Sequence, residues 1–185
     1  MSRGKLNMNN ISFKDFIHES FMSIGLDPEQ IGEPVVVPTL SVSDGLARLL
    51  ADSYVLYLKT QHFHWNVTGP FFGPLHSLFN ELYDDLFEAI DLIAERIRAL
   101  GAFAPGSFSQ FAELTCIEEE RGVPSAEEMV DQLLEDNTKI INTINAVFQL
   151  TRDHADEGTA TLLADRLDVH GKANWKLRSI LETAI

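Results

Sequence analysis

The sequence predicts an all-α fold: four long helices packed as a bundle, with a long crossover between the second and third. Three observations carry that prediction. From residue 41 onward, apolar residues recur at three- and four-residue steps, the spacing of one helix face. Gly69-Pro70 and Gly101 punctuate those stretches, and Pro74 stands where a helix can begin. Two of the connections are short, as antiparallel neighbours require, while the stretch from Ala102 to Val123 is long enough to run along the side of a bundle.

Residues 1–40 read as an N-terminal arm, and 41–185 as the bundle. Pro28, Pro34 and Pro38 break the arm. Within it, Phe13, Phe16, Ile17, Phe21 and Ile24 recur at helical steps and predict a short docked helix near 12–24, ending at Gly25. The first bundle helix runs from Ser43 or Asp44, either of which can cap it, to Asn66. The second begins at Pro74 and continues to Leu100, with Leu75, Leu78, Phe79, Leu82, Leu86, Ile90, Ile93 and Ile97 as its apolar stripe. The crossover holds a short helix around Phe108–Leu114, and its acidic run at 118–120 reads as exposed loop. Ser125-Ala-Glu-Glu128 is a capping box that opens the third helix, which runs to about Arg152. The fourth spans Thr159 to Glu182.

Composition narrows the function. The formal net charge is −14, with 23% charged and 45% apolar residues. That balance opposes nucleic-acid binding by the body of the protein, because phosphate contacts need clustered Lys and Arg. It suits solubility and the attraction of cations. Cys116 is the only cysteine, so no disulfide framework forms within the chain and a reducing, cytoplasmic setting is expected. The N-terminal residues lack the apolar segment of a signal peptide, and no stretch has the apolar length of a membrane span.

Chemistry concentrates in residues 62–101. The second helix carries His76, Asn80, Asp91 and Glu95, which at 100° per residue fall at about 0°, 40°, 60° and 100°, inside one narrow arc. His76 and Asp91 nevertheless lie about 22 Å apart along the axis. One chain cannot bring both to a single ion through this helix. If the helix packs antiparallel against its own copy, His76 of one chain meets Asp91 and Glu95 of the other, and a twofold axis makes the site twice. His64, at the end of the first helix, joins His76 from the same side. Two imidazoles with two carboxylates suit ferrous iron, and ligand type alone also admits zinc or manganese. Asn80 adds only a weak, neutral oxygen.

Other arrangements are less well supplied. Di-iron bundles that hold both metals inside one chain carry Glu-x-x-His on two bundle helices. Only Asp15, ahead of His18, is acidic three residues before a histidine here, and it lies in the arm. His18, His154 and His170 read as ordinary satisfied histidines. His62 sits about 200° around the helix from His64 and so faces away. Trp65 has two readings, electron transfer beside a metal or packing at a subunit contact. Trp175 belongs to the core or an interface, and Asp165 and Asp168 read as a solvated face in preference to a pore lining.

The run resembles the Dps family, the mini-ferritins also known as DNA-protection proteins of starved cells. The likeness rests on His64-Trp65-Asn66, on His76 twelve residues after His64, and on Asp91 and Glu95 with Ala-Glu-Arg at 94–96. It covers about 41–183, and HGKANWKLR at 170–178 is similar to the family's last helix. The resemblance implies a ferritin-like bundle in a hollow dodecamer. It further implies oxidation of ferrous iron (Fe2+ to Fe3+), hydrogen peroxide as favoured oxidant, and a ferric mineral inside. Many members carry an acidic residue where this chain has Asn80, which weakens the expected second iron position. Some members bind DNA through a basic tail. The arm here sets Arg3, Lys5 and Lys14 against Asp15, Glu19, Asp27, Glu29 and Glu33, a net of −2, so weak or no DNA binding is expected. A purely structural bundle would leave a carboxylate pair unpaired at an interface, which is costly.

Overall fold

The computed structural model describes residues 41–182. The expected arm helix near 12–24, and His18 within it, lie outside the described residues. Five helices follow in order: α1 (Val42–Asn66), α2 (Phe72–Ala99), α3 (Phe108–Leu114), α4 (Ala126–His154) and α5 (Glu157–Leu181). No strand occurs among the described residues. α1 pairs with α2 and α4 with α5, α1 also packs on α4, and the small α3 rests on α1. α2 and α5 touch only lightly. The four-helix bundle with a long side crossover is therefore present as expected.

The helix ends show where side chains, not periodicity, decide. α1 is capped by Ser41 and not by Ser43 or Asp44. The Ser41 hydroxyl accepts the Asp44 N–H at 3.1 Å, and the Asp44 carboxylate accepts the Ser41 N–H at 3.1 Å. α2 starts at Phe72, before Pro74, with no side-chain cap. It stops at Leu100, where Gly101 takes φ +87°. α3 and α4 open with reciprocal caps, Ser107 with Gln110 and Ser125 with Glu128. α4 continues past Arg152 to His154, and Ala155 turns the chain with φ 50°. α5 begins ahead of Thr159 because the Asp156 carboxylate caps it, accepting the Thr159 N–H at 3.0 Å. Arg96 of α2 reaches that cap, bonding Asp156 and the Thr159 hydroxyl.

The apolar stripes meet in one core, in which Leu46, Leu49, Leu50, Phe63, Phe79, Ile93, Ile97, Met129, Leu133, Ile140, Ile144 and Leu163 are fully buried. Gly45 lets α1 and α4 approach closely: a Cβ there would lie 2.8 Å from a Val147 methyl. Among the described residues, the buried side-chain polar atoms are all partnered. Lys59 pairs with Asp136, both buried, between α1 and α4. Asn137 donates to the His170 carbonyl at 2.8 Å and to Asn174 Oδ1 at 2.7 Å. Arg166 holds Asp85 with two bonds, 3.1 and 2.6 Å, and so ties α5 to α2 where their packing is thin.

The crossover is pinned by a buried carboxylate. Asp52 Oδ1 accepts the Thr115 hydroxyl at 2.9 Å and the Cys116 N–H at 2.8 Å, and Oδ2 accepts the Thr143 hydroxyl at 2.9 Å. One side chain of α1 thereby fixes both the crossover and α4. Burial and the adjacent Asp52 push the Cys116 thiol up, which keeps it protonated and a poor nucleophile.

Candidate metal centre

The centre is built on the α1–α2 hairpin. α1 ends with Val67 N–H bonded to the Phe63 carbonyl at 2.8 Å, and Gly69 at φ +98° reverses the chain. The short loop brings His64, in the last turn of α1, beside His76, in the first turns of α2. Their rings stack with centroids 3.7 Å apart and planes 18° apart. Each ring bonds the other's main chain: His64 Nδ1 lies 2.8 Å from the His76 carbonyl, and His76 Nδ1 lies 2.8 Å from the His64 carbonyl. A carbonyl only accepts, so both Nδ1 atoms carry the proton. In the neutral ring this leaves Nε2 as the nitrogen with a free lone pair, the one that can bind a metal. The bond to the His64 carbonyl also satisfies one of the acceptors that a helix leaves open at its C-terminus.

His62, two residues earlier, is spent. Its Nε2 donates to the Gly122 carbonyl at 2.8 Å and its Nδ1 accepts the Asn66 amide at 3.1 Å. Both nitrogens are used, and the ring fastens α1 to the crossover. His62 thus turns to the crossover, whereas His64, half a turn further along α1, stacks on His76 of α2.

Asp91 and Glu95 are exposed on α2, and among the described residues neither makes a hydrogen bond or ion pair. They share the helix face of His76 but lie about 22 Å (Asp91) and about 28 Å (Glu95) further along the axis. Among the described residues of one chain, no group of three or more His, Cys, Asp or Glu converges on a point. Asn80, on the same arc, is engaged: its amide donates to Asp84 Oδ2 at 2.6 Å, and its oxygen accepts the Tyr83 hydroxyl at 2.8 Å.

Tyr83 escaped the sequence reading. Its ring stands edge-on to His64 at 5.2 Å. Burial first, then Asp84 and Tyr57, pushes its hydroxyl above the usual range, so it remains a donor. The spacing held the signal, since Tyr83 lies seven residues after His76 and Tyr57 seven before His64, which is two helical turns in each case. Elsewhere, His170 is a satisfied core residue as expected. Trp175 is 66% exposed, which removes the core from its two expected locations, and Trp65 is 64% exposed. Asp165 and Asp168 are exposed, the latter paired with Lys172. No helix among the described residues is long and apolar enough to cross a membrane.

Comparison with known proteins agrees with this architecture. The family model for the Ferritin-like domain matches residues 43–184. A DNA protection during starvation protein of Brevibacillus brevis is 36% identical over 141 residues, covering 74% of this chain and 92% of that protein. An uncharacterised low temperature-induced protein of Nostoc sp. is 42% identical over 135 residues, covering 72% and 75% of the two chains. The crystal structure of a Dps protein from Vibrio cholerae, described as a member of a broad superfamily of ferritin-like diiron-carboxylate proteins, superimposes with a TM-score of 0.74. It is 31% identical and covers 76% of this chain and 89% of that one.

Proposed function

The chain belongs to the ferritin-like family, in its Dps branch, and we propose on that footing that it stores iron as a ferroxidase. Ferrous iron is the substrate and hydrogen peroxide the oxidant. Twelve copies form the shell that holds the ferric product. Two ferrous ions give one electron each, the peroxide O–O bond takes both, and two protons complete two waters. His64 and His76 of one chain bind the iron through Nε2, and Asp91 and Glu95 of the partner subunit complete the donor set. The observation that carries this reading is the reciprocal bonding of the two histidines, which leaves two metal-binding nitrogens side by side and uncommitted. Asp91 and Glu95, exposed on the same helix and without a partner among the described residues, supply the charge that an incoming cation needs.

Complementation between chains tests it. A dimer of a His64→Ala chain with an Asp91→Ala chain contains one site with both lesions and one with all four ligands. Each pure variant has two damaged sites. Peroxide-driven ferrous oxidation is therefore expected to be low in either pure assembly and partly recovered after co-assembly. If mixed dimers form and nothing is recovered, the ligands do not come from two chains. DNA protection is the second reading, favoured by the name of the Brevibacillus relative. The formal charge of −14 opposes it at the level of direct DNA contact.

A further inference from the structure

We propose that a cavity between α2 and α5 binds a medium-chain fatty acid, with the alkyl tail inside the bundle and the carboxylate at the mouth, on Lys172 and Lys176. The site is separate from the candidate centre and does not rest on the ferroxidase reading. Its α2 residues, Glu81, Leu82, Asp85 and Leu86, fall at about 140° to 280° around the helix from His76, outside the arc of the metal-binding set.

The cavity exists because α2 and α5 touch only lightly. It measures about 240 Å3 and reaches the centre of the bundle, so that all four long helices line it. Leu56, Leu82, Leu86, Leu133, Ala173 and Leu177 form its apolar wall, and among the described residues no Phe, Tyr or Trp lines it. An aliphatic wall suits a flexible chain better than a flat ring, which gains most by stacking on another. The polar groups at the floor are already engaged. Thr60 donates to the Leu56 carbonyl at 2.7 Å, and Asn137 donates to the His170 carbonyl and to Asn174. The two ring nitrogens of His170 lie against Asn137 and Arg166. A polar guest would find no partner there, and an alkyl chain needs none. A dry cavity of about 150 Å3 takes one benzene, so the volume here has room for about nine or ten carbons.

The mouth selects an anion. Glu81 and Asp85 stand on the α2 rim, and Lys172 and Lys176 stand one turn apart on the α5 rim. Arg166 already holds Asp85 with two bonds, which leaves Glu81 alone against two lysines among the lining residues. Lys176 pairs with Glu81, whose side chain is 63% exposed, and Lys172 pairs with the exposed Asp168. Exposed pairs of that kind are weak. An incoming carboxylate can take both lysines while Glu81 and Asp168 return to solvent. The mouth is thus a local cationic rim on a chain whose formal net charge is −14.

Isothermal titration calorimetry on the assembled full-length protein tests the proposal, using hexanoate, octanoate, decanoate and dodecanoate below their micellar concentrations. Each added CH2 should tighten binding about fourfold, until the cavity is full near decanoate. Octanol and octylamine carry the same tail and should bind more weakly than octanoate. Ala173→Leu fills the cavity and should abolish binding of every acid, with the helices intact by circular dichroism. Lys172→Gln combined with Lys176→Gln should weaken octanoate about tenfold and leave octanol unchanged. Should Ala173→Leu not fold, the lysine pair, at the rim, still separates a held carboxylate from a bare tail. Affinity that does not rise with chain length, octanoate binding that survives in a folded Ala173→Leu, or no binding of any acid would overturn the proposal. So would octanol or octylamine matching octanoate, or octanoate indifferent to the loss of both lysines.

Discussion

Lys59→Met isolates the cost of an orphaned buried charge. Lys59 and Asp136 pair between α1 and α4 with side chains only 5% and 3% exposed. Removing one member of such a pair typically costs about 3–5 kcal/mol, because the remaining charge stays desolvated. Asp136 keeps Lys139 at 3.1 Å on its other oxygen, and that lysine side chain is 32% exposed. The lower end of the range therefore applies, about 3 kcal/mol. For a folded unit of this size, the melting temperature should fall by about 6–12 °C. Urea unfolding at neutral pH, followed by far-UV circular dichroism, measures the change directly. Lys59→Met combined with Asp136→Leu removes both charges and should recover most of the loss, since apolar replacements of buried pairs are often neutral or better. If the double variant is as unstable as the single one, the loss comes from packing of the lysine stem, and the buried-charge reasoning is refuted.

Three further outcomes are expected. Burial, and then Arg166, holds His170 down at about 3 against its ordinary 6.5, with Asp85 offsetting in part. The unfolded chain takes up a proton that the folded chain refuses, so this contribution is complete above the unfolded value and declines as pH falls toward the folded one, by at most about 1.4 kcal/mol per unit. His170→Gln should flatten that slope in urea unfolding between about pH 6.5 and 4. Gly45→Ala places a methyl 2.8 Å from Val147 and should cost about 1–3 kcal/mol by thermal unfolding, with Val147→Ala restoring part of it. Gel-shift assays should show little DNA retardation, and none that survives about 150 mM salt.

The long helices could be read from the sequence because their apolar spacing is a local property. Their ends could not be read as well, because capping is a competition among neighbours. Ser41, Ser43 and Asp44 can all cap, and Ser41 prevails because Asp44 stands three residues later to return the bond. That signal was present but overlooked. The start of α5 was beyond reading: Asp156 is steadied by Arg96, sixty residues away in sequence. The same holds for Lys59 with Asp136, whose partnership exists only once α1 and α4 are side by side. At the candidate centre, spacing brought His64 and His76 together on paper, and the angle around α1 set His62 apart. What spacing could not supply was the state of each ring nitrogen, which depends on which carbonyl lies opposite.

The reciprocal histidine bonds separate two properties that usually fail together. Each ring is held by main-chain oxygen of the same hairpin, so the shape of the half-site is local to residues 64–76. Substitutions in α4 or α5 change how much protein is folded and leave that shape alone. Completeness of the donor set, on the proposed reading, belongs to the pairing of two hairpins. Damage to the bundle thus lowers the number of working centres without altering the quality of any one, whereas a change in the α1–α2 loop does the reverse.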